Sequence, residues 1–166
     1  MKYLQHYPVH LQEAMQKLQS ENMLSEYITQ RYPVQHQIQN DKALYNFSNK
    51  IKQEYLRNAP ILDKVSYDNR LNIEHHALGL NMAISRIHGG KLKAKNEIRI
   101  SSFFKAAPSD FLRMIVVHEL AHLKEREHGK AFYKLCVYMA PDYHQLEFDC
   151  RVYLTLKENE NLISFS

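Results

Sequence analysis

The run from Met114 to Leu123 is apolar except for His118, Glu119 and His122 in its interior. A chain carrying such a run has few ways to fold. Burying one polar side chain without a partner costs about 1–3 kcal/mol. Three such side chains in one apolar helix therefore need a shared purpose. On a helix, residues four apart are separated by about 400°, so the imidazoles of His118 and His122 point the same way one turn apart. That places two ring nitrogens within about 2.0–2.1 Å of a single divalent ion, with zinc the natural choice for nitrogen donors. Glu119 lies about 100° further round. It reaches the metal's open position without ligating the ion, and there it can take a proton from water as general base.

Two histidines do not complete such a site, because catalytic zinc ordinarily has three protein ligands and one open position. His128 is the candidate third ligand. On an unbroken helix it would face about 240° away from His122. The reading therefore requires the helix to end between Leu123 and Glu127 and the chain to fold back, with Gly129 permitting the turn. Glu147 is the rival third ligand. Glu147 and Asp149 are alternatively expected to accept hydrogen bonds from ligand imidazoles. Tyr143, His144 and Arg86 are candidates for contacting substrate or stabilising an oxyanion.

Around the motif, the pattern is helices, then strands, then helices, which points to an α+β arrangement and away from alternating βαβ units. Residues 9 to 31 read as helix in two pieces, with Ser20 as N-cap of the second. A further helix is expected from Asp41 to Arg57, stopped by Asn58-Ala59-Pro60. Val65 and Tyr67, Leu71 and Ile73, Met82 with Ile84 and Ile87, and Ile98 with Ile100 suggest strands of a small, mostly antiparallel sheet. Gly89-Gly90 reads as a turn. Pro108 suits the first turn of the motif helix. Helices follow from Gly129 to Met139 and from Pro141-Asp142 onward. The expected organisation is a helical segment over 1–60 and a metal-binding domain over 61–166, together forming one compact unit.

Composition narrows the function classes. With 45% hydrophobic residues but only four glycines and five prolines, the chain can build a core and holds little linker. A net charge of +4 suits a small anionic substrate and is too weak for a nucleic-acid-binding protein. Cys136 and Cys150 have no CxxC spacing and read as reduced, partly buried thiols. No apolar run matches a signal peptide or a membrane span, so a cytoplasmic location is expected. Lys91, Lys93 and Lys95 would share one strand face, where they form either a solvated edge or a phosphate-binding strip. His75 and His76 point to opposite faces and do not read as ligands.

The segment Val116-Val117-His118-Glu119-Leu120-Ala121-His122-Leu123-Lys124, then His128, Phe132 and Pro141-Asp142-Tyr143, resembles the YgjP-like metallopeptidase family. That family is related to the SprT-like and WLM zinc peptidases. The resemblance covers roughly residues 61 to 156. It departs at Ile87-His88-Gly89-Gly90, where many members carry a tryptophan-centred stretch. It implies a zincin-like fold with a small sheet packed on a central HExxH helix. It also implies one zinc ion on His118, His122 and His128, with Glu119 as catalytic base. The implied reaction is hydrolysis of peptide bonds in a polypeptide substrate, with the strand near Ile98 to Ser101 offering its edge to the substrate. The alternative expectation is hydrolysis of a nucleotide or phosphoanhydride, with the basic hairpin holding phosphates. A weaker alternative is a binding module that uses zinc structurally. Nothing in the sequence sets the oligomeric state.

Overall fold

A computed structural model describes residues 1–71 and 96–165. The strands expected near Ile73 and Met82–Ile87, the Gly89-Gly90 turn, His75-His76, Arg86 and the three alternating lysines lie outside the described residues. Within them are six helices and two strands, a mixed α and β structure in two compact units.

The larger unit spans Gln35–Tyr143. Its first helix, α3 (Asp41–Tyr55), starts where the Asn40 side chain accepts the Ala43 N–H at 2.8 Å. Leu44, Ser48 and Lys52 form its buried stripe at four-residue spacing. The helix stops two residues before the expected Arg57, because Leu56 leaves helical dihedrals at φ −131°, ψ 51°.

Helix α3 packs on strand β1 (Lys64–Asp68), which pairs with β2 (Glu97–Ser101). Val65, Ile98 and Ile100 face the core at 0–2% exposure, while Arg99 meets Glu97 at 2.7 Å. The pairing is parallel, with Val65 opposite Ile98 and Tyr67 opposite Ile100. This corrects the antiparallel expectation. Alternation marks a strand without giving its direction. A parallel pair needs a crossover of a dozen or more residues, and residues 69–96 exceed that.

After β2, a short 3-10 turn at Ser102–Lys105 buries Phe104 and leads into the motif helix, α4 (Ser109–Ala121). Pro108 stands one position before the helix as N-cap and not inside its first turn. Its carbonyl accepts the N–H groups of Phe111 and Leu112. From Phe111 to Ala121 every residue except Arg113 is buried. A helix apolar all round belongs in the centre of a core, and α4 packs against α3, β2 and the following helix, α5 (Lys130–Met139). Phe132, Cys136 and Met139 are the buried stripe of α5.

The smaller unit comprises Met1–Val34 and His144–Ser166. It holds α1 (Val9–Ser20), α2 (Leu24–Arg31) and all but the first residue of α6 (Tyr143–Phe165). Ser20 does not cap α2. It ends α1, and its hydroxyl donates back to the Lys17 carbonyl at 2.8 Å. The chain turns through Asn22 at φ 61°, a left-handed conformation that asparagine tolerates.

Asp149 is fully buried and accepts hydrogen bonds from Tyr27 (2.7 Å), Tyr32 and Gln145 (3.0 Å), with Arg31 at 3.5 Å. Near the N-terminus, the Tyr3 hydroxyl donates to Glu158 at 2.8 Å, and Arg151 donates to the Tyr3 carbonyl at 3.0 Å. Cys136 and Cys150 are both reduced and fully buried, and burial pushes the Cys150 thiol up from its ordinary value. No helix among the described residues is long and apolar enough to cross a membrane.

Candidate metal centre

The last turn of α4 and the loop after it bring three imidazoles together. His118 and His122 are 1% and 5% exposed. His122 is the C-cap of α4 and still has helical dihedrals, φ −67° and ψ −15°, so the four-residue relation between the two rings survives the end of the helix. The chain leaves the helix after Ala121, earlier than the expected break beyond Leu123. The N–H groups of Lys124 and Glu125 both fold back on the Ala121 carbonyl, at 3.1 and 2.9 Å.

That fold-back cancels the angular mismatch of an unbroken helix. His128 returns so that its Nε2 lies 2.9 Å from Nε2 of His122. One donor atom from each of His118, His122 and His128 falls within 4.8 Å of the others. Gly129 is not what makes the turn. Its φ is −93°, ordinary for any residue, and a side chain placed there would meet nothing within 4 Å.

The outer ring nitrogens are also fixed. Nδ1 of His122 pairs with the Glu125 carbonyl at 2.9 Å, and Nδ1 of His118 with the Tyr143 hydroxyl at 2.7 Å. A neutral imidazole has one donor and one acceptor nitrogen. The Glu125 carbonyl can only accept, so His122 carries its proton on Nδ1 and presents the Nε2 lone pair inward. Phe132 forms the apolar wall, its ring centroid 4.5 to 4.9 Å from those of all three histidines. Glu119 sits on the same turn of α4 and is completely buried.

Three imidazole nitrogens within 4.8 Å of one another are the kind of donor set that divalent metals favour. The donor set therefore fits a divalent metal.

Of the other expected site residues, Tyr143 bonds His118, as above. Glu147 receives a hydrogen bond from Tyr7 at 3.4 Å, and Asp149 is held by the two tyrosines and Gln145, all within the smaller unit. His144 is exposed, and Arg86 lies outside the described residues. Sequence reasoning missed the Glu125 carbonyl, since a backbone oxygen leaves no trace in residue identity. It named Tyr143 but not as the partner of His118.

A buried HExxH helix with three convergent histidines and an adjacent buried glutamate defines a metal-dependent hydrolase. The match to known proteins is specific. Residues 4–149 match the family model described as YgjP-like, metallopeptidase domain, and the chain belongs to that family. It is similar to a protein of Escherichia coli (strain K12) named UTP pyrophosphatase, with 54% identity over 155 residues, covering 93% of each chain. No solved structure matches.

Proposed function

We propose that the protein hydrolyses nucleoside triphosphates, uridine triphosphate foremost, to the nucleoside monophosphate and pyrophosphate. The observation that carries this reading is the 54% identity across 93% of both chains to a protein named UTP pyrophosphatase. The net charge of +4 suits a polyanionic substrate. In this reading His118, His122 and His128 hold one zinc ion. When bound, zinc supplies Lewis-acid polarisation of a phosphoryl oxygen and makes water more acidic. Glu119 takes the proton of the attacking water. The water oxygen bonds to the α-phosphorus, the bond from that phosphorus to the bridging oxygen breaks, and pyrophosphate leaves.

A second reading is the peptidase first expected from the sequence, and the metallopeptidase description of the matching family model favours it. The same glutamate and ligands would then act at a peptide carbonyl. One experiment separates the two. The purified zinc protein is offered a panel of nucleoside triphosphates and an unstructured polypeptide, with Glu119→Gln alongside. Pyrophosphate release from UTP is expected, falling about 10²–10⁴-fold in Glu119→Gln. Polypeptide cleavage without triphosphate turnover would establish the peptidase instead. Triphosphate turnover undiminished in Glu119→Gln would remove the proposed base. Bound zinc with turnover of neither substrate would leave a zinc-containing binding module.

A further inference from the structure

Beyond the ligands, the geometry points to Tyr143 as the residue that sets which nitrogen of His118 faces the metal. This rests on the metal reading above and adds a role for a side chain that neither ligates nor reacts. Tyr143 is fully buried, and its hydroxyl lies 2.7 Å from Nδ1 of His118. Ligation through Nε2 requires the proton on Nδ1, and a phenol oxygen at that distance accepts it. The two ring planes lie 26° apart with centroids at 6.3 Å, so the link between them is the hydroxyl and not a stacked face.

Two further contacts hold Tyr143 in place. Its own N–H bonds to the Ala140 carbonyl at 2.9 Å, closing the turn after α5. The neighbouring Asp142 receives a fork from Arg113, at 3.0 and 3.3 Å. Arg113 stands on α4, five residues before His118. The turn carrying Tyr143 is thus tied to the motif helix at two heights, once by the ion pair and once by the imidazole.

The partners of the two outward nitrogens, a phenol and the Glu125 carbonyl, are both neutral oxygens. A carboxylate in either place would lend the ligand negative charge. A neutral partner orients the ring without that charge.

The test uses Tyr143→Phe and two readouts. Zinc affinity, measured by competition with a chromophoric chelator, is expected to weaken about 10–100-fold. Long-range proton–nitrogen NMR of the zinc-free protein is expected to show His118 as the Nδ1–H tautomer in the native chain and as a mixture in Tyr143→Phe. A purely structural role would lower stability and zinc affinity but leave the tautomer unchanged, and that result would overturn the inference. If the variant does not fold, the native spectrum decides alone, since an Nε2–H tautomer there contradicts the assignment. A native protein that binds no zinc would overturn the metal reading, while the tautomer would still report on the tyrosine.

Discussion

At the scale of single residues, Phe132 does more than fill space. It is fully buried and touches the rings of all three histidines, so the donor geometry depends on an apolar side chain. Phe132→Ala is expected to destabilise the fold by about 3–5 kcal/mol, read by denaturant unfolding of the zinc-free protein. A divalent metal held by the three histidines should then recover part of that loss by mass action. A variant as stable as the native chain would show that the wall is not packed. The histidines were legible in the sequence because helix geometry turns spacing into direction. His128 was legible only conditionally, since its position depends on where the helix ends, and Leu123 and Lys124 carry no stop signal of their own. Tyr143 could be named but not assigned, because its partner is twenty-five residues away and no periodicity connects them.

Elements were legible where local chemistry decides them. The amphipathic stripe from Asp41 marked the start of α3, and alternation located β1 and β2 within a residue or two. Strand direction was not legible, since pairing is a long-range choice. Ser20 failed as a cap because its hydroxyl has two local options, and the carbonyl three residues back won. In the smaller unit, helices α2 and α6 are joined through Asp149. Asp149→Ala leaves the buried hydroxyl of Tyr32 and the half-buried one of Tyr27 without their acceptor. The expected cost is about 1–3 kcal/mol, measured by thermal or denaturant unfolding. An unchanged midpoint would mean that the tyrosines find other partners at no cost.

For the whole molecule, eleven tyrosines make alkaline titration informative. Burial, aided by Asp41, pushes Tyr67 up to about 12. Burial, with the charges of Cys150 and Glu160, does the same for Tyr153. Tyr27 and Tyr32 are raised by burial and by their hydrogen bonds to Asp149. A raised phenol favours the folded state in its neutral form. That contribution is complete below pH about 10, the unfolded value, and is lost as pH climbs through the folded values. Phenolate absorbance from these four side chains should therefore appear only above about pH 11, together with loss of far-ultraviolet circular dichroism. Complete ionisation below that point with the helices intact would contradict the assignment.

The smaller unit is made from both ends of the chain, Met1–Val34 and His144–Ser166. On the ribosome, α1 and α2 therefore emerge long before the helix they pack against. At roughly 5–20 residues per second, on the order of 5–20 s separates Tyr32 from the synthesis of Asp149. Throughout that interval Tyr27 and Tyr32 are without Asp149, the acceptor of their hydroxyls. The acceptor that ties α2 to α6 is thus among the last parts of the smaller unit to be made, after the whole of Gln35–Tyr143.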